Sequence, residues 1–123
     1  MSLLYFSIVL VLTILYVLYK RSGQIPVKVA DEHVKNGALV IDVRSSREFE
    51  SGHLAQAMNM PLDEIETHAL SQIKNKRQVL LLHCQSGIRS RMAVKRLEKI
   101  GYQNVYNMGS YTRAFRIVSG RNL

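Results

Sequence analysis

Hydrophobic positions divide the chain into two parts of different character. Residues 3–19 carry no charged side chain, and among them only Ser7 and Thr13 are polar in addition to the tyrosines. After position 26, short apolar runs alternate with stretches in which apolar residues recur every three or four positions. The first pattern predicts one continuous apolar helix, and the second predicts strands that alternate with amphipathic helices.

The alternation after residue 26 predicts an α/β domain. The expected strands are 27–30, 38–43, 57–60, 79–83 and 105–108, and the expected helices are 46–51, 61–73, 90–100 and 111–118. Strands that alternate with helices form a parallel sheet with helices on both faces. The run at 79–83 is the most hydrophobic strand, so we expect it at the centre of the sheet.

The apolar run at residues 3–19 is long enough to anchor the chain in a membrane. As a helix it measures roughly 25 Å against ~30 Å of hydrocarbon, and the flanking tyrosines, Lys20 and Arg21 suit the interfaces. A secretory signal peptide is one alternative, but basic residues before the run and a small-residue cleavage site after it are missing. A buried core helix is another, although no face of the run is polar. We therefore predict a transmembrane anchor at 1–21, a linker at 22–26 and a globular domain at 27–120.

Charged side chains all follow position 19, so the formal net charge of +8 belongs to the part of the chain after the apolar run. The positive-inside rule then predicts a single-pass protein of the inner (cytoplasmic) membrane, with its N-terminus outside and its domain in the cytoplasm. The one cysteine suits a reducing compartment, because it offers no intramolecular disulfide. The charge suits anionic lipids or small anions, and no motif typical of nucleic-acid binding accompanies it. We expect a membrane contact through residues 3–19 and no nucleic-acid partner.

Cys84 is the candidate nucleophile because of what surrounds it. It follows the predicted central strand, at the carboxyl end where α/β sheets place their chemistry. Gly87 permits a tight loop whose backbone N–H groups face one centre, Arg89 adds a positive charge, and Ser90 is expected to cap the next helix. Each of these stabilises a thiolate relative to the thiol, and the thiolate is the reactive form.

These residues and several others resemble the rhodanese-like sulfurtransferase family over about residues 27–120. The first family signature is matched by Val40-Ile41-Asp42-Val43-Arg44, Glu48-Phe49 and Gly52-His53-Leu54, and a second segment by Ala57-Met58-Asn59-Met60-Pro61. Gly101-Tyr102 and Val105-Tyr106-Asn107-Met108-Gly109 are similar to the second signature. Active members carry a six-residue loop that begins with the cysteine, and residues 84–89 have that length.

The resemblance implies a rhodanese-like fold and a two-step reaction through a persulfide on Cys84. A small anionic sulfur donor such as thiosulfate would load the cysteine, and a thiol or protein cysteine would accept the sulfur, without a cofactor. The loop Gln85, Ser86, Gly87, Ile88, Arg89 and Ser90 would hold the persulfide. Arg89 would orient the oxyanion end of the donor, and Ser86 would add a hydrogen bond.

Other interpretations remain open at this point. In the phosphatase signature H-C-x5-R, the arginine would fall at position 90, which is Ser90, so a cysteine-dependent phosphatase or arsenate reductase-like enzyme is the second candidate. A non-catalytic rhodanese binding module is the third. Asp42, Arg44 and Glu48 are interpreted as a supporting network of ion pairs and hydrogen bonds, and His53 as a structural partner beneath the loop. No metal-ligand spacing is present, so no metal is expected.

Overall fold

A computed structural model describes residues 1–21 and 23–120, without the side chains of Lys20 and Arg21. Helix α1 spans Ser2–Arg21, and its residues 2–19 are exposed. Its segment Ser2–Tyr19 is long and apolar enough to cross a membrane, by length and composition alone. The rest of the described chain folds into an α/β domain that begins beside α1.

The domain is a four-stranded parallel sheet with the strand order β2-β1-β3-β4. Its elements in chain order are α2 (Val27–Lys35), β1 (Leu39–Asp42), α3 (Ser46–Glu50), β2 (Ala57–Asn59), a 3-10 turn (Leu62–Glu64), α4 (Ile65–Gln72), β3 (Leu80–His83), α5 (Ile88–Lys99), β4 (Val105–Gly109) and α6 (Tyr111–Ser119). The predicted parallel α/β architecture is confirmed, and β3 lies inside the sheet between β1 and β4.

Helices cover both faces of this sheet, as predicted. On one face, Ile41 and Leu82 pack with α4 and α5, where Ile65 and Leu97 are fully buried. On the other face, Val40, Leu81 and Met108 pack with Ala30 of α2 and with Ala114 and Ile117 of α6. Neighbouring positions of β1 and β3 therefore enter opposite cores, which is why these strands read as continuous apolar runs.

The strand predicted at 27–30 is wrong, because this segment is the first half of α2. Pro26 stands at the N-cap position, where its fixed φ and missing N–H are tolerated. Val27, Ala30 and Val34 share the face that packs on the second core, at helical spacing. Val29 lies on the other face and is 42% exposed. A segment of four residues is too short to distinguish this helical pattern from that of a strand.

The segment just before α2 lies along the outer edge of β4. The Ile25 N–H donates to the Asn107 carbonyl at 2.9 Å, and Gln24 forms a parallel bridge with Asn107. Ile25 is also buried in the second core. The described part of the predicted linker therefore contacts the domain, whereas Ser22 lies outside the described residues.

The sheet is irregular at the point where the candidate chemistry lies. Leu82 pairs with Asn107, but His83 pairs with Gly109, so Met108 is an extra residue in β4. Such a bulge bends the strand and changes the direction of the residues that follow. The carboxyl ends of β1, β3 and β4 consequently meet around Cys84.

Candidate active site

Cys84 directly follows β3 and is completely buried. All four residues of β3 are also buried, so the packed sheet fixes the point where the loop begins. The Cys84 N–H donates to the Gly109 carbonyl at 3.3 Å, which attaches the cysteine to the end of β4. The predicted position of Cys84 at the carboxyl end of a central strand is confirmed.

The loop after Cys84 turns back so that its backbone donates to the sulfur. The Gly87 N–H lies 3.0 Å from the Cys84 Sγ atom. Gly87 has φ of 96°, in the left-handed region that favours glycine, and serves as the N-cap residue of α5. The N-terminal end of this twelve-residue helix adds positive potential near the sulfur.

Ser90 does not cap α5 as predicted, because it is the third residue of that helix. Its side chain is buried and lies beneath the sulfur, with Oγ 3.5 Å from the Cys84 Sγ atom. The same oxygen lies 2.7 Å from the Asn107 Oδ1 atom and 3.2 Å from the Gly87 carbonyl. One hydroxyl carries one proton, so a negative charge on the sulfur competes with Asn107 for it.

Asn107 is a site residue that the sequence did not single out. It is buried in β4, where its Oδ1 atom accepts from the Gly109 N–H at 2.8 Å and its Nδ2 group donates to the Gly87 carbonyl at 3.2 Å. Together with Ser90 it links the loop, the helix and the bulged strand. A buried asparagine in an otherwise apolar strand was the available signal, because such a group needs partners.

The surroundings of the sulfur favour its ionised form. Burial raises the pKa of the Cys84 thiol, but the Ser90 hydroxyl and the backbone N–H groups of Ser90, Gly87 and Ser86 more than offset this. The net effect holds the pKa of Cys84 below its ordinary value. Several hydrogen-bond donors are therefore directed at the Cys84 sulfur, and such donors favour the thiolate, the reactive form of a cysteine.

Arg89 makes a bidentate ion pair with Glu48, with Nη1 to Oε1 at 2.6 Å and Nη2 to Oε2 at 2.9 Å. Ser45 and Glu48 also form a capping box at the start of α3, which fixes the carboxylate. The Arg89 guanidinium, together with the Ser45 contacts, lowers the pKa of Glu48 to about 2, although burial of the carboxyl acts in the opposite direction. The pair connects the loop to α3. Glu48 also neutralises part of the positive charge of Arg89, the residue that was expected to orient the sulfur donor.

Asp42 and Arg44 form a second ion pair that is almost fully buried. Arg44 Nε and Nη2 donate to the Asp42 carboxylate at 2.8 to 3.0 Å, and Nη2 also donates to the Gly52 carbonyl. The Arg44 guanidinium lies over the Tyr111 ring, 4.8 Å from its centroid. The supporting network predicted for Asp42, Arg44 and Glu48 is present, but it consists of two separate pairs.

His83 lies between this inner pair and the cysteine. It is completely buried, its Nδ1 atom lies 3.3 Å from the Cys84 carbonyl, and its ring meets the Tyr111 ring edge-on. Its Nε2 atom lies 3.8 Å from Asp42 Oδ2 and makes no hydrogen bond within the described part of the chain. Burial, which outweighs the attraction of Asp42, lowers the pKa of His83. A neutral packing residue fits these observations.

His53 is not beneath the loop, so that prediction is wrong. Its side chain is exposed and stacks on Phe49 with ring centroids 3.7 Å apart, while Nδ1 donates to the Phe49 carbonyl at 2.8 Å. His53 stabilises the turn after α3 from the outside. The physical reason is that His53 lies four positions after Phe49, and the turn between them places the two rings side by side.

The remaining loop residues define the mouth of the site. Gln85 is exposed, and its carbonyl accepts from the Tyr111 N–H at 3.3 Å. Ser86 forms an antiparallel bridge with Ser110, whose hydroxyl caps α6. Ile88 is exposed at the first position of α5. The start of α6 therefore holds the outer side of the loop.

Comparison with protein families decides what this arrangement belongs to. The family model "Rhodanese-like domain" matches residues 26–113, which include the loop, both ion pairs and Asn107. The chain belongs to the rhodanese-like domain family.

Several known proteins are similar to this rhodanese-like chain. Protein YqhL of Bacillus subtilis is 38% identical over 71 residues, which are 58% of this chain and 55% of that protein. Thiosulfate sulfurtransferase PspE of Escherichia coli is 30% identical over 69 residues, 56% of this chain and 66% of that protein. A solved structure of rhodanese with anions from E. coli has a TM-score of 0.60 at 27% identity and covers 63% of this chain and 91% of that one.

The rhodanese-like relatives differ in what they are named for. The aligned segments span only about half to two thirds of the two curated relatives just described. Other similar proteins carry the name tRNA uridine(34) hydroxylase. Family membership therefore gives the fold and the sulfurtransferase relationship, and the reaction of this chain has to be argued from its own site.

Across residues 1–21 and 23–120, no three His, Cys, Asp or Glu side chains lie close enough together to hold a metal ion. The arginines next to the cysteine are also engaged elsewhere: Arg89 on Glu48, and Arg91 on the Tyr19 carbonyl and ring.

Proposed function

We propose that this protein is a membrane-anchored sulfurtransferase that moves sulfane sulfur from an anionic donor to a thiol through a persulfide on Cys84. The observation that carries the proposal is the donor cradle around the sulfur, with the Gly87 N–H at 3.0 Å and the Ser90 hydroxyl at 3.5 Å. A persulfide adds a second sulfur that carries the negative charge. Backbone N–H groups directed at one point stabilise such an anion without a metal or cofactor.

In the first step the Cys84 thiolate, whose proton has passed to solvent, attacks the outer sulfur of a donor such as thiosulfate. A new S–S bond forms to Cys84, the S–S bond of thiosulfate breaks, and sulfite leaves with the bonding electrons. The lowered pKa of Cys84 raises the fraction of thiolate at neutral pH. The Ser90 proton can turn from Asn107 to the sulfur as negative charge gathers there.

In the second step an acceptor thiolate attacks the outer sulfur of the persulfide. The S–S bond to Cys84 breaks, the Cys84 thiolate returns, and the acceptor leaves as a new persulfide. No net oxidation occurs in the cycle, because each step exchanges one S–S bond for another. A covalent intermediate with two half-reactions predicts ping-pong kinetics.

Arg89 retains a role toward the donor in this proposal, but a shared one. Its guanidinium raises the local potential at Cys84, while Glu48 neutralises part of that charge. A small dianion such as thiosulfate competes with Glu48 for the guanidinium when it enters. The ion pair thus moderates the attraction for free oxyanions.

The phosphatase and arsenate reductase alternatives need an arginine that faces the loop centre from the position after a five-residue spacer. That position is Ser90, whose hydroxyl lies against the sulfur. The binding-module alternative needs no reactive cysteine. Both alternatives are outcomes of the following experiment.

The test uses the full-length protein in detergent micelles. Incubation with thiosulfate followed by intact-mass measurement is expected to show the gain of one sulfur atom, with sulfite released in equal amount. Cys84→Ser removes the nucleophile at nearly constant volume and should abolish the gain. Hydrolysis of an aryl phosphate without a sulfur adduct would favour the phosphatase, and neither activity would favour the binding module.

The membrane part of the proposal rests on α1. This helix is apolar and exposed along Ser2–Tyr19, and the basic side chains follow it in sequence. We expect the protein to remain in the membrane fraction after carbonate washing and to leave it in detergent. A reporter fused to the C-terminus should be active in the cytoplasm; activity on the outer side would overturn the orientation.

A further inference from the structure

Gln24 lies directly behind the loop that holds Cys84, although its position in the chain is only three residues after the end of α1. Its backbone forms a parallel bridge with Asn107, and the next residue donates to the Asn107 carbonyl at 2.9 Å. That next residue, Ile25, is buried in the core. The backbone at position 24 is therefore fixed against the outer edge of β4.

The Gln24 side chain occupies the space beside two glycines. A Cβ atom added to Gly109 would lie 2.7 Å from the Gln24 Nε2 atom and 3.1 Å from its Cδ atom. A Cβ atom added to Gly87 would lie 3.4 Å from the same Nε2 atom and 3.2 Å from the Gly109 Cα atom. The side-chain amide thus packs against both glycines, which themselves touch each other.

These two glycines hold the cysteine at both ends. The Gly87 N–H donates to the Cys84 sulfur at 3.0 Å, and the Gly109 carbonyl accepts from the Cys84 N–H at 3.3 Å. Their φ values are 96° and 93°, so both adopt the left-handed conformation that residues with a side chain rarely take. Glycines lack side chains with which to hold such a turn in place, so a neighbouring side chain has to fill the space.

We propose that Gln24 is a positioning residue for the Cys84 loop: its side chain keeps Gly87 against Gly109 and so keeps the Gly87 N–H directed at the sulfur. A measurement of sulfur transfer by Gln24 variants would rest on the proposed function, whereas a measurement of the reactivity of the Cys84 thiol does not. Arg91 of α5 makes a second link to this part of the chain, because Nη1 donates to the Tyr19 carbonyl at 2.7 Å. The junction between α1 and the domain thereby contacts the loop and the helix that follows it.

The test compares Gln24→Ala with the matched control Gln103→Ala, both in the full-length protein in detergent micelles. Gln103 is exposed and precedes β4, at the amino end of the parallel strands and therefore at the end of the sheet opposite to Cys84. The readout is the pH dependence of alkylation of the single cysteine by iodoacetamide. Gln24→Ala is expected to shift the profile to higher pH and to slow alkylation at neutral pH about tenfold, which corresponds to one pKa unit. Gln103→Ala should match the wild type.

Two further variants separate packing from a loss of folding. Gln24→Met keeps the length of the side chain and is expected to remain within about twofold of wild type, since volume-conserving exchanges are well tolerated. Gln24→Asn withdraws the amide by one methylene and should shift the profile in the same direction as Ala, but less. If Gln24→Ala does not fold, Gln24→Asn provides the decisive comparison.

A double substitution tests the contact itself. The methyl group of Gly109→Ala meets the Gln24 amide in the wild-type background, and the Gln24→Ala background removes this clash while the Arg113 Cδ atom at 3.3 Å and the strain of the φ of 93° remain the same in both. The loss of alkylation rate caused by Gly109→Ala should therefore be smaller when Gln24 is already alanine, because residues in contact are not additive. Additive losses would contradict the contact.

The proposal is overturned if Gln24→Ala and Gln24→Asn have the alkylation profile of Gln103→Ala. It is equally overturned if Gln24→Ala melts at a lower temperature with an unchanged profile, which would make Gln24 a stabilising residue only. If the wild type takes up no sulfur from thiosulfate but the profile of Gln24→Ala shifts, the proposed function fails while the positioning role stands.

Discussion

Two ion pairs of opposite exposure lie beside the Cys84 loop. In the inner pair the side chains of Asp42 and Arg44 are 0% and 6% exposed, whereas those of Glu48 and Arg89 in the outer pair are each 36% exposed. The inner pair joins residues two positions apart at the end of β1, and the outer pair joins α3 to the first turn of α5 across 41 positions. The same type of ion pair, an arginine with a carboxylate, therefore links residues within one segment in the first case and two distant segments in the second.

The difference follows from solvation. A buried charge that loses its partner is not solvated by water, so breaking the inner pair is expected to destabilise the fold. An exposed pair is screened and contributes little to stability, but its charges remain available to an incoming anion. We therefore expect changes in the inner pair to act on folding and changes in the outer pair to act on the donor step.

The largest effect is expected from Asp42→Ala. It leaves the Arg44 guanidinium buried without its carboxylate, which should lower the free energy of unfolding by about 3–5 kcal/mol. Urea unfolding of the full-length protein in micelles measures this, with Asp63→Ala as the control for an exposed carboxylate. Equal unfolding midpoints for the two variants would show that the inner pair is not needed for the fold.

Opposite changes in the outer pair should separate the donor step from stability. Glu48→Gln removes the charge that neutralises Arg89 and should lower the KM for thiosulfate, by roughly fivefold or less for one screened charge. Arg89→Ala leaves the Glu48 carboxylate without its partner and should raise that KM, while Cys84 is still alkylated. Steady-state kinetics with thiosulfate measure both, and a shift of both variants in one direction would contradict the assignment.

The smallest effect is expected for the dependence of stability on pH, which protonation of Glu48 in acid should cause. The pKa of Glu48 is about 2 in the folded protein against an ordinary 4.5, so its pairing stabilises the fold fully above about pH 4.5 and is lost as the pH falls toward 2. The unfolding midpoint of wild type should exceed that of Glu48→Gln near neutral pH, and the gap should close in acid. A gap that persists at about pH 2 would show that the ion pair is not its source.

Local features of the sequence predicted most of the fold. The strands around Leu81 and Val40 were readable because apolar runs covered on both faces leave a simple pattern, and Ser45 with Glu48 forms the cap that such a spacing predicts. The segment 27–30 was misread because its helical period becomes visible only over eight residues, from Val27 to Val34. Short windows cannot separate the two periods.

Contacts between distant segments were not readable in the same way. Ser90 stands where a cap is expected, but its hydroxyl turns to Asn107, seventeen positions later. His53 is part of the segment Gly52-His53-Leu54, which resembles the first rhodanese signature, yet its ring stacks on Phe49 at the surface. In each case the residue type allowed both arrangements, and packing selected one of them.

The sequence by itself determined the order of strands and helices after residue 38, the apolar character of α1 and the position of the candidate nucleophile Cys84 at the end of a buried strand. These depend on covalent order and on periods of two or about four residues, which local backbone geometry imposes. Only the tertiary structure decided that Glu48 is the partner of Arg89, that Asn107 and Ser90 share a proton beneath the sulfur, and that Gln24 packs behind both glycines. Those contacts join segments far apart in the chain, and the closure of the sheet and its helices brings them together.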